Sequence, residues 1–429
     1  MARIEFWGGV GVIGSSKVLI HDGGHRVLLD LGLDIPRDSD LFRAPVALPR
    51  GRELSARLRV GAAPAIAGLY DPAALEPGDP LGEPAEPTAV FISHPHIDHV
   101  GLAGFLRADI PAYASPDGIA LLQALGQSGE TLPGPRDFSC AATSWRPVPA
   151  GAAVDVGPIR VERLDVDHDV PGASGYRVTT SDGVLAFTGD IRFHGHHPDR
   201  SWAFADAVAG CDVLVTEGTT LSFDEQQPLR TEADVARDYA AALDGSPDLM
   251  LQASYPRDLD RVRAFERIAA EAGRTILWPG RIAAFLRAAG AGPAVTLSDV
   301  GRAAVRDAPG RFVVQLDAAD LPGLLDLPIG PASAMLHANG EPLGPFDPRW
   351  PLYTDWLAQC GLPLRPIGCS GHASADHLHE MLYRIRPSVV IPIHTRSPYR
   401  LHPVGGTARL VVDYARAYDF AGRPLPASS

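Results

Sequence analysis

Lysine is nearly missing from this chain: Lys17 is the only one in 429 residues, and arginine carries the remaining positive charge. Contacts to an anion must therefore come almost wholly from arginine, histidine, hydroxyls or backbone amides. Cysteine is scarce too. Cys140, Cys211, Cys360 and Cys369 are scattered, without the spacing of a thiolate metal site or a disulfide framework, which suits a reducing compartment. Cys369 reads as a packed thiol. No apolar run reaches about 18 residues, and the start MARIEFWGG lacks the layout of a secretory signal. The expectation is a soluble, cytoplasmic protein with no membrane partner. Positive charge is also outweighed: the net charge of −13 argues against a surface that coats nucleic acid broadly. A nucleic-acid substrate stays open, because divalent ions at the bottom of a cleft reverse the local field.

What is present centres on Thr88-Ala-Val-Phe-Ile-Ser-His-Pro-His-Ile-Asp-His-Val-Gly101. Ala89 to Ile92 reads as a buried strand, and His94, His96, Asp98 and His99 follow directly. A strand that ends in a ligand loop is how a parallel sheet presents chemistry at its carboxyl edge. Neutral imidazoles with a carboxylate suit Zn²⁺ or a similar divalent ion. His94 and His96 alternate, while Asp98 and His99 fall where a helix begins at Val100. The block turns a corner there, so its four side chains can serve two adjacent ions.

Along the chain, residues 3–34 read as a β-meander around the flexible turn Gly8-Gly-Val-Gly-Val-Ile-Gly14. That glycine run is not a phosphate loop, since no Lys-Ser/Thr follows and no helix opens. Residues 35–87 read as an irregular Pro/Ala-rich insertion with one short helix. Further strands end in chemistry: Arg160 to His168, Val184 to Asp190, Cys211 to Glu217, and Ser388 to His394. His194, His196 and His197 lie beyond a strand end in a polar loop and read as surface residues. From about 219 the pattern becomes βα units with their own core, which marks a separate domain over 219–364. The domain plan is thus 1–218, 219–364, and a return segment 365–429. With 45% apolar residues and this length, the chain can bury more than one core.

The HxHxDH block is the hallmark of the metallo-β-lactamase fold, and the chain resembles that superfamily. The expected class is α/β (α+β): an αββα sandwich. Asp190 and His394 stand about 200 residues apart with the extra domain between them. That layout resembles the β-CASP branch of nucleic-acid-processing nucleases, and within it ribonuclease J and its shorter relatives. Further residues that carry the likeness are Gly8 to Gly14, Thr188-Gly-Asp-Ile-Arg-Phe-His194 and Asn339-Gly-Glu-Pro342. His168 is followed by Asp-Val-Pro where that family has Ser-Ile-Pro. In β-CASP terms Glu217 matches the acidic first motif, His372 in Ser-Gly-His-Ala the second, and His394 the third.

Seven ligands then serve two divalent ions, Zn²⁺ first and Mn²⁺ as the alternative. His94, His96 and His168 hold one ion, Asp98, His99 and His394 the other, and Asp190 stands between them. A water bridging such ions loses a proton near neutral pH and becomes a nucleophile. Asp30, at a strand end, matches the aspartate that orients the ligand loop. Asp98, Glu217 and His372 are the candidate catalytic residues. Ser370, Gly371, His372 and Ser374 form a candidate substrate phosphate-binding turn, since small residues let the backbone approach closely and the hydroxyls donate. The implied function is a metal-dependent phosphodiester hydrolase of ribonuclease J type, acting 5′ to 3′ or endonucleolytically on single-stranded RNA, with a homodimer as a possible assembly. The alternatives are a DNA-directed β-CASP nuclease and a small-molecule ester or thioester hydrolase.

Overall fold

The computed structural model describes residues 1–34, 41–42, 46, 48, 51–130, 132, 145–224 and 228–426. Cys140 lies outside the described residues. Two seven-stranded sheets and one five-stranded sheet organise the chain. The strands are β1 (Arg3–Phe6), β2 (Val18–Asp22), β3 (His25–Leu29), β4 (Thr88–Phe91), β5 (Ala112–Ala114) and β6 (Trp145–Pro147). Next come β7 (Ala153–Val156), β8 (Ile159–Asp165), β9 (Ser174–Thr180), β10 (Gly183–Phe187) and β11 (Val213–Glu217). β12 (Met250–Ser254), β13 (Thr275–Leu277), β14 (Phe312–Gln315), β15 (Met335–Ala338) and β16 (Leu364–Pro366) follow, then β17 (Val389–Ile393), β18 (Ala408–Arg409) and β19 (Ala417–Tyr418).

The first sheet runs β19-β1-β2-β3-β4-β5-β6 and the second β18-β17-β11-β10-β9-β8-β7. Their facing sides share one apolar layer, in which Phe6, Val27 and Phe91 of one sheet meet Tyr176, Val178, Val213 and Ile391 of the other. Each outer face carries helices. Leu28 and Val90 pack with Leu54, Leu102, Ile119 and Leu122. Ala186, Leu214 and Val390 pack with Phe204, Leu378 and Met381. This is the αββα sandwich that the ligand block implied. Cover on both faces explains why β2, β4, β11 and β17 are buried along their whole length and carry consecutive apolar residues rather than an alternation.

The five-stranded sheet has the order β13-β14-β12-β15-β16 and is parallel throughout. Helices cover both its faces. β16 spans the expected junction at residue 365, so the chain leaves this sheet only after Pro366. The helix Pro116–Gln127, from the sandwich, shares a core with this unit: Leu121 and Leu125 cluster with Ile282, Phe285 and Leu286.

Locally, the insertion after residue 34 contains the helix Glu53–Val60. The helix expected from Val100 is instead a single turn, Ile97–Val100, which already contains Asp98 and His99, followed by a 3₁₀ turn at Ala103–Phe105. The glycine-rich turn is closed from beneath. Lys17, fully buried, donates from Nζ to Ser15 O at 2.8 Å and Ser15 Oγ at 2.7 Å. Gly14 has φ +85, and a Cβ there would lie 2.8 Å from Asp98 Oδ2, so a side chain would push into the ligand loop.

Candidate metal centre

Four strand ends converge because β10, β11 and β17 run parallel and in register. Phe187 pairs with Val215, and Glu217 with Ile393, so Asp190, Glu217 and His394 leave the sheet side by side. β4 of the facing sheet delivers His94 to His99, and the loop after β8 delivers His168. The geometry brings all seven expected ligands together. His94, His96, His168 and Asp190 form one group, Asp98, His99 and His394 a second, and Asp190, His372 and His394 a third that overlaps both.

Within the first group His94 Nε2 lies 3.0 Å from His96 Nδ1, and His168 Nε2 lies 3.3 Å from the same atom. In the second, His394 Nε2 is 3.1 Å and His99 Nε2 3.7 Å from Asp98 Oδ2. Asp190 Oδ2 faces both groups, 3.7 Å from His94 Nε2, 3.3 Å from His99 Nε2 and 3.6 Å from His394 Nε2. Two donors each about 2.1 Å from a tetrahedral ion lie about 3.4 Å apart, which is the spacing found here. Burial, together with the neighbouring imidazoles, holds His94 well below the ordinary histidine range. Burial pushes His96 down to about 4 and also lowers His168, although nearby carboxylates oppose both shifts. These rings stay neutral and keep a lone pair. Burial opposes ionisation of Asp98 and Asp190, yet the surrounding histidines hold both below the carboxylate range.

The outward nitrogens are tied, and this fixes the tautomers. His99 Nδ1 donates to Asp30 Oδ2 at 2.7 Å, His168 Nδ1 to Gly371 O at 2.5 Å, His394 Nδ1 to Thr219 Oγ1 at 2.8 Å and His94 Nδ1 to Ser93 Oγ at 3.0 Å. Each contact turns Nε2 toward the centre. At His99 burial opposes protonation, but Asp190, Asp98 and Asp30 outweigh it and lift the ring well above the ordinary histidine range. A cation there would displace a proton. His99 Nε2 and Asp190 Oδ1 are buried without a hydrogen-bond partner. Neutral imidazoles and two carboxylates aimed at one another, with orphaned inner atoms, fit a pair of divalent cations. Asp30 is fully buried, and its carboxylate also accepts from Ser93 N at 2.7 Å and Ser93 Oγ at 2.8 Å. Asp30 and His394 both adopt left-handed backbone, φ 60 and φ 54, strain that the surrounding bonds hold in place.

His372 stands at the rim of the pair. Its Nδ1 is 3.5 Å from Glu217 Oε1 and 3.7 Å from Asp190 Oδ2. Burial opposes protonation, but Glu217 and Asp190 outweigh it and lift the imidazole to about 9. Glu217 also accepts from Thr219 N at 2.8 Å and Ala373 N at 3.1 Å, so one carboxylate organises both flanks. In the expected phosphate turn, Ser370 Oγ accepts from His372 N at 3.0 Å. Ser374 Oγ accepts from His377 N at 3.2 Å as the N-cap of the helix Ala375–Ile385, so this hydroxyl oxygen is engaged in ending the turn. Gly371 is required here, since a Cβ would lie 2.5 Å from Asp169 Oδ2.

Of the loop histidines read as surface residues, His194 is buried, whereas His196 and His197 are partly exposed. His194 Nε2 lies 2.9 Å from Ser370 O, His196 Nε2 lies 3.5 Å from Glu232 Oε2, and His197 pairs with Asp260. The polar loop runs along the seam between sandwich and inserted sheet, where its partners come from distant sequence. Cys369 is a packed thiol, as expected; its Sγ lies 3.3 Å from Glu232 Oε1, and burial lifts it to about 12. Residues without a prior signal also reach the centre. Ser93 and Thr219 anchor ligands, and Asp169 Oδ1 lies 3.3 Å from both His96 Nε2 and His168 Nε2. Tyr255, from the loop after β12, sets its ring 5.7 Å from that of His96. Only Asp169 left a trace in sequence, as the residue that replaces serine after His168.

Residues 25–254 match the model of the beta-lactamase superfamily domain. The chain is similar to ribonuclease J of Pyrococcus abyssi, 21% identical over 433 residues that cover 92% of this chain and 90% of the relative. It is similar to ribonuclease J2 of Bacillus subtilis, 21% identical over 426 residues, 91% of this chain and 69% of the relative. Against ribonuclease J of Mycobacterium tuberculosis it is 23% identical over 287 residues, 65% of this chain but only 44% of that protein. A solved structure of a protein of unknown function from Enterococcus faecalis shares the fold, with TM-score 0.80 at 24% identity, over 97% of this chain and 99% of that one. The chain therefore belongs to the metallo-β-lactamase superfamily.

Proposed function

We propose that this protein is a metal-dependent phosphodiester hydrolase that cleaves single-stranded RNA. The observation that carries the reading is the two facing ligand groups with His372 and Glu217 at their rim, joined by Asp190. The likeness to ribonuclease J over most of both chains supports RNA as the substrate. Two divalent ions, held by His94, His96 and His168 and by Asp98, His99 and His394 with Asp190 shared, would supply positive charge for the phosphoryl oxygens and acidify a water. The protein's part is to hold the donors oriented through Ser93, Asp30, Gly371 and Thr219. His372, placed by Glu217, offers a cationic N–H to a non-bridging oxygen or a proton to the leaving oxygen. Gly371 lets the backbone of that turn come close to a phosphate.

The test is incubation with 5′-labelled single-stranded RNA and DNA of equal sequence, with Mn²⁺ or Zn²⁺, followed by the product ladder. Cleavage of RNA in preference to DNA is expected. Preference for DNA would move the protein to the DNA-directed branch. Cleavage of neither, with turnover of a thioester or aryl ester, would replace the nuclease reading by a small-molecule hydrolase.

A further inference from the structure

Tyr255 is supplied to the metal centre by the inserted sheet, and the structure explains how it is held there. It follows β12 at the carboxyl edge of a parallel sheet. There β12 and β15 lie side by side, while the connections leaving them run to opposite sides. The residues around it are fastened to the sandwich on both sides. Arg257 Nη2 donates to Glu130 Oε2 at 2.6 Å, beyond the end of the helix Pro116–Gln127. Asp258 caps the helix Leu259–Glu271 by accepting from Arg261 N at 3.1 Å, and Arg261 in turn donates to Glu232, which also takes Arg192 of the sandwich. Ser254 is held from behind by Gln315 Oε1, which accepts from its N at 3.1 Å and its Oγ at 2.9 Å. Between these anchors the Tyr255 ring is half-buried and meets the His96 ring edge-on, 5.7 Å between centroids at 60°.

Its hydroxyl has no hydrogen-bond partner among the described residues; of the buried tyrosines, Tyr70, Tyr176 and Tyr239 place theirs on a protein acceptor and Tyr353 does not. A phenol packed against the His96 ring, with no acceptor of its own, is a free donor. We propose that Tyr255 is a further catalytic residue: its O–H donates to a non-bridging oxygen of the scissile phosphate. The inserted domain then does more than cover the site, since it completes the set of donors around the reacting phosphorus. This rests on the phosphodiesterase reading above.

The experiment compares Tyr255→Phe with the parent protein, both loaded with Mn²⁺, because phenylalanine keeps the ring packing on His96 and removes only the hydroxyl. On labelled RNA and on bis(4-nitrophenyl) phosphate, kcat should fall by on the order of 10²–10³, the usual loss for one transition-state donor. KM and metal content should stay at parent values. Binding of orthovanadate, a mimic of five-coordinate phosphorus, measured by calorimetry, should weaken by roughly tenfold or more. Parent kcat, or parent vanadate affinity, in the phenylalanine variant would overturn the proposal. Loss of a metal equivalent would overturn it also, by making the ring a support for His96. If the parent cleaves neither substrate, the nuclease reading fails and the catalytic role of Tyr255 falls with it, whereas a parent that cleaves both and a variant that matches it overturn the role of Tyr255 alone.

Discussion

A carboxylate with no exposure is costly unless each of its lone pairs is used, and Asp30 shows how that cost is met. Burial raises its pKa, while His99 and Ser93 favour the charged form. Its oxygens meet three donors, one of which is the outward N–H of a metal ligand. Asp30→Asn should leave the fold intact but weaken one of the two metal sites by about 10–100-fold, the usual effect of losing such a partner. Competition with a chromophoric chelator would measure this, and two unaltered affinities would refute the orienting role. His372 is the second residue to test. Its ring stands beside Asp190 and Glu217 and also groups with Asp190 and His394, while the other two groups offer enough donors for two ions without it. His372→Ala is expected to retain two metal equivalents and lose on the order of 10²–10⁴ in turnover on RNA. A preparation with one equivalent would instead make His372 a ligand.

At the scale of elements, the centre exists because parallel strands release their chains at the same edge. β11 and β17 are neighbours although the whole inserted sheet separates them in sequence. The helix Leu259–Glu271 adds a pH-dependent term through its cap. Burial pushes the Asp258 carboxyl up to about 6, against Arg261 and Arg192, with Glu232 and Asp169 adding to the rise. A folded pKa above the unfolded value means that the folded protein holds the proton more readily. The associated stability is present below pH of about 4 and is lost as pH rises through about 6. Asp258→Asn keeps an acceptor for Arg261 N. In urea titrations from pH 4 to 7 it should lack this decline, and an unchanged pH slope would contradict the assignment.

For the whole molecule, the seam between sandwich and inserted sheet is both apolar and charged. Leu121 and Leu125 share a core with Ile282, Phe285 and Leu286. Beside it Glu232, almost fully buried, lies 2.8 Å from Arg192 Nη1 and 2.6 Å from Arg261 Nη2. Such an arrangement couples the two units, so calorimetry of the full chain should show a single transition. Glu232→Gln leaves two buried guanidinium groups short of a counter-charge. It should lower stability by about 3–5 kcal/mol while leaving metal content unchanged. The resolution of two separate transitions in the parent protein would show that the seam does not join the units. Tyr255 depends on the same seam, because Arg257 and Asp258 reach its partners across it.

The primary sequence alone determined the class of fold and named the candidate ligands that the fold brings together. A buried strand followed by a histidine or an acid is a local pattern, and it repeats at His94, His168, Asp190, Glu217 and His394. The HxHxDH spacing narrows that pattern to one superfamily. Tertiary structure decided which atoms point inward, because the partners that choose each tautomer lie far away. His168 finds Gly371 O across 203 positions, and His394 finds Thr219 across 175. The same distance hid the loop of His194 and His196, whose polar composition resembles a surface until another domain closes over it. Tyr255 had no local signature whatever. Nothing in Ser254-Tyr-Pro-Arg257 marks a catalytic group, and only the docking of the parallel sheet onto the sandwich brings that ring to His96. Periodicity and strand ends act over a few residues and can be read in order. Hydrogen-bond partners and the walls of a cleft are set by packing between segments that share no stretch of chain.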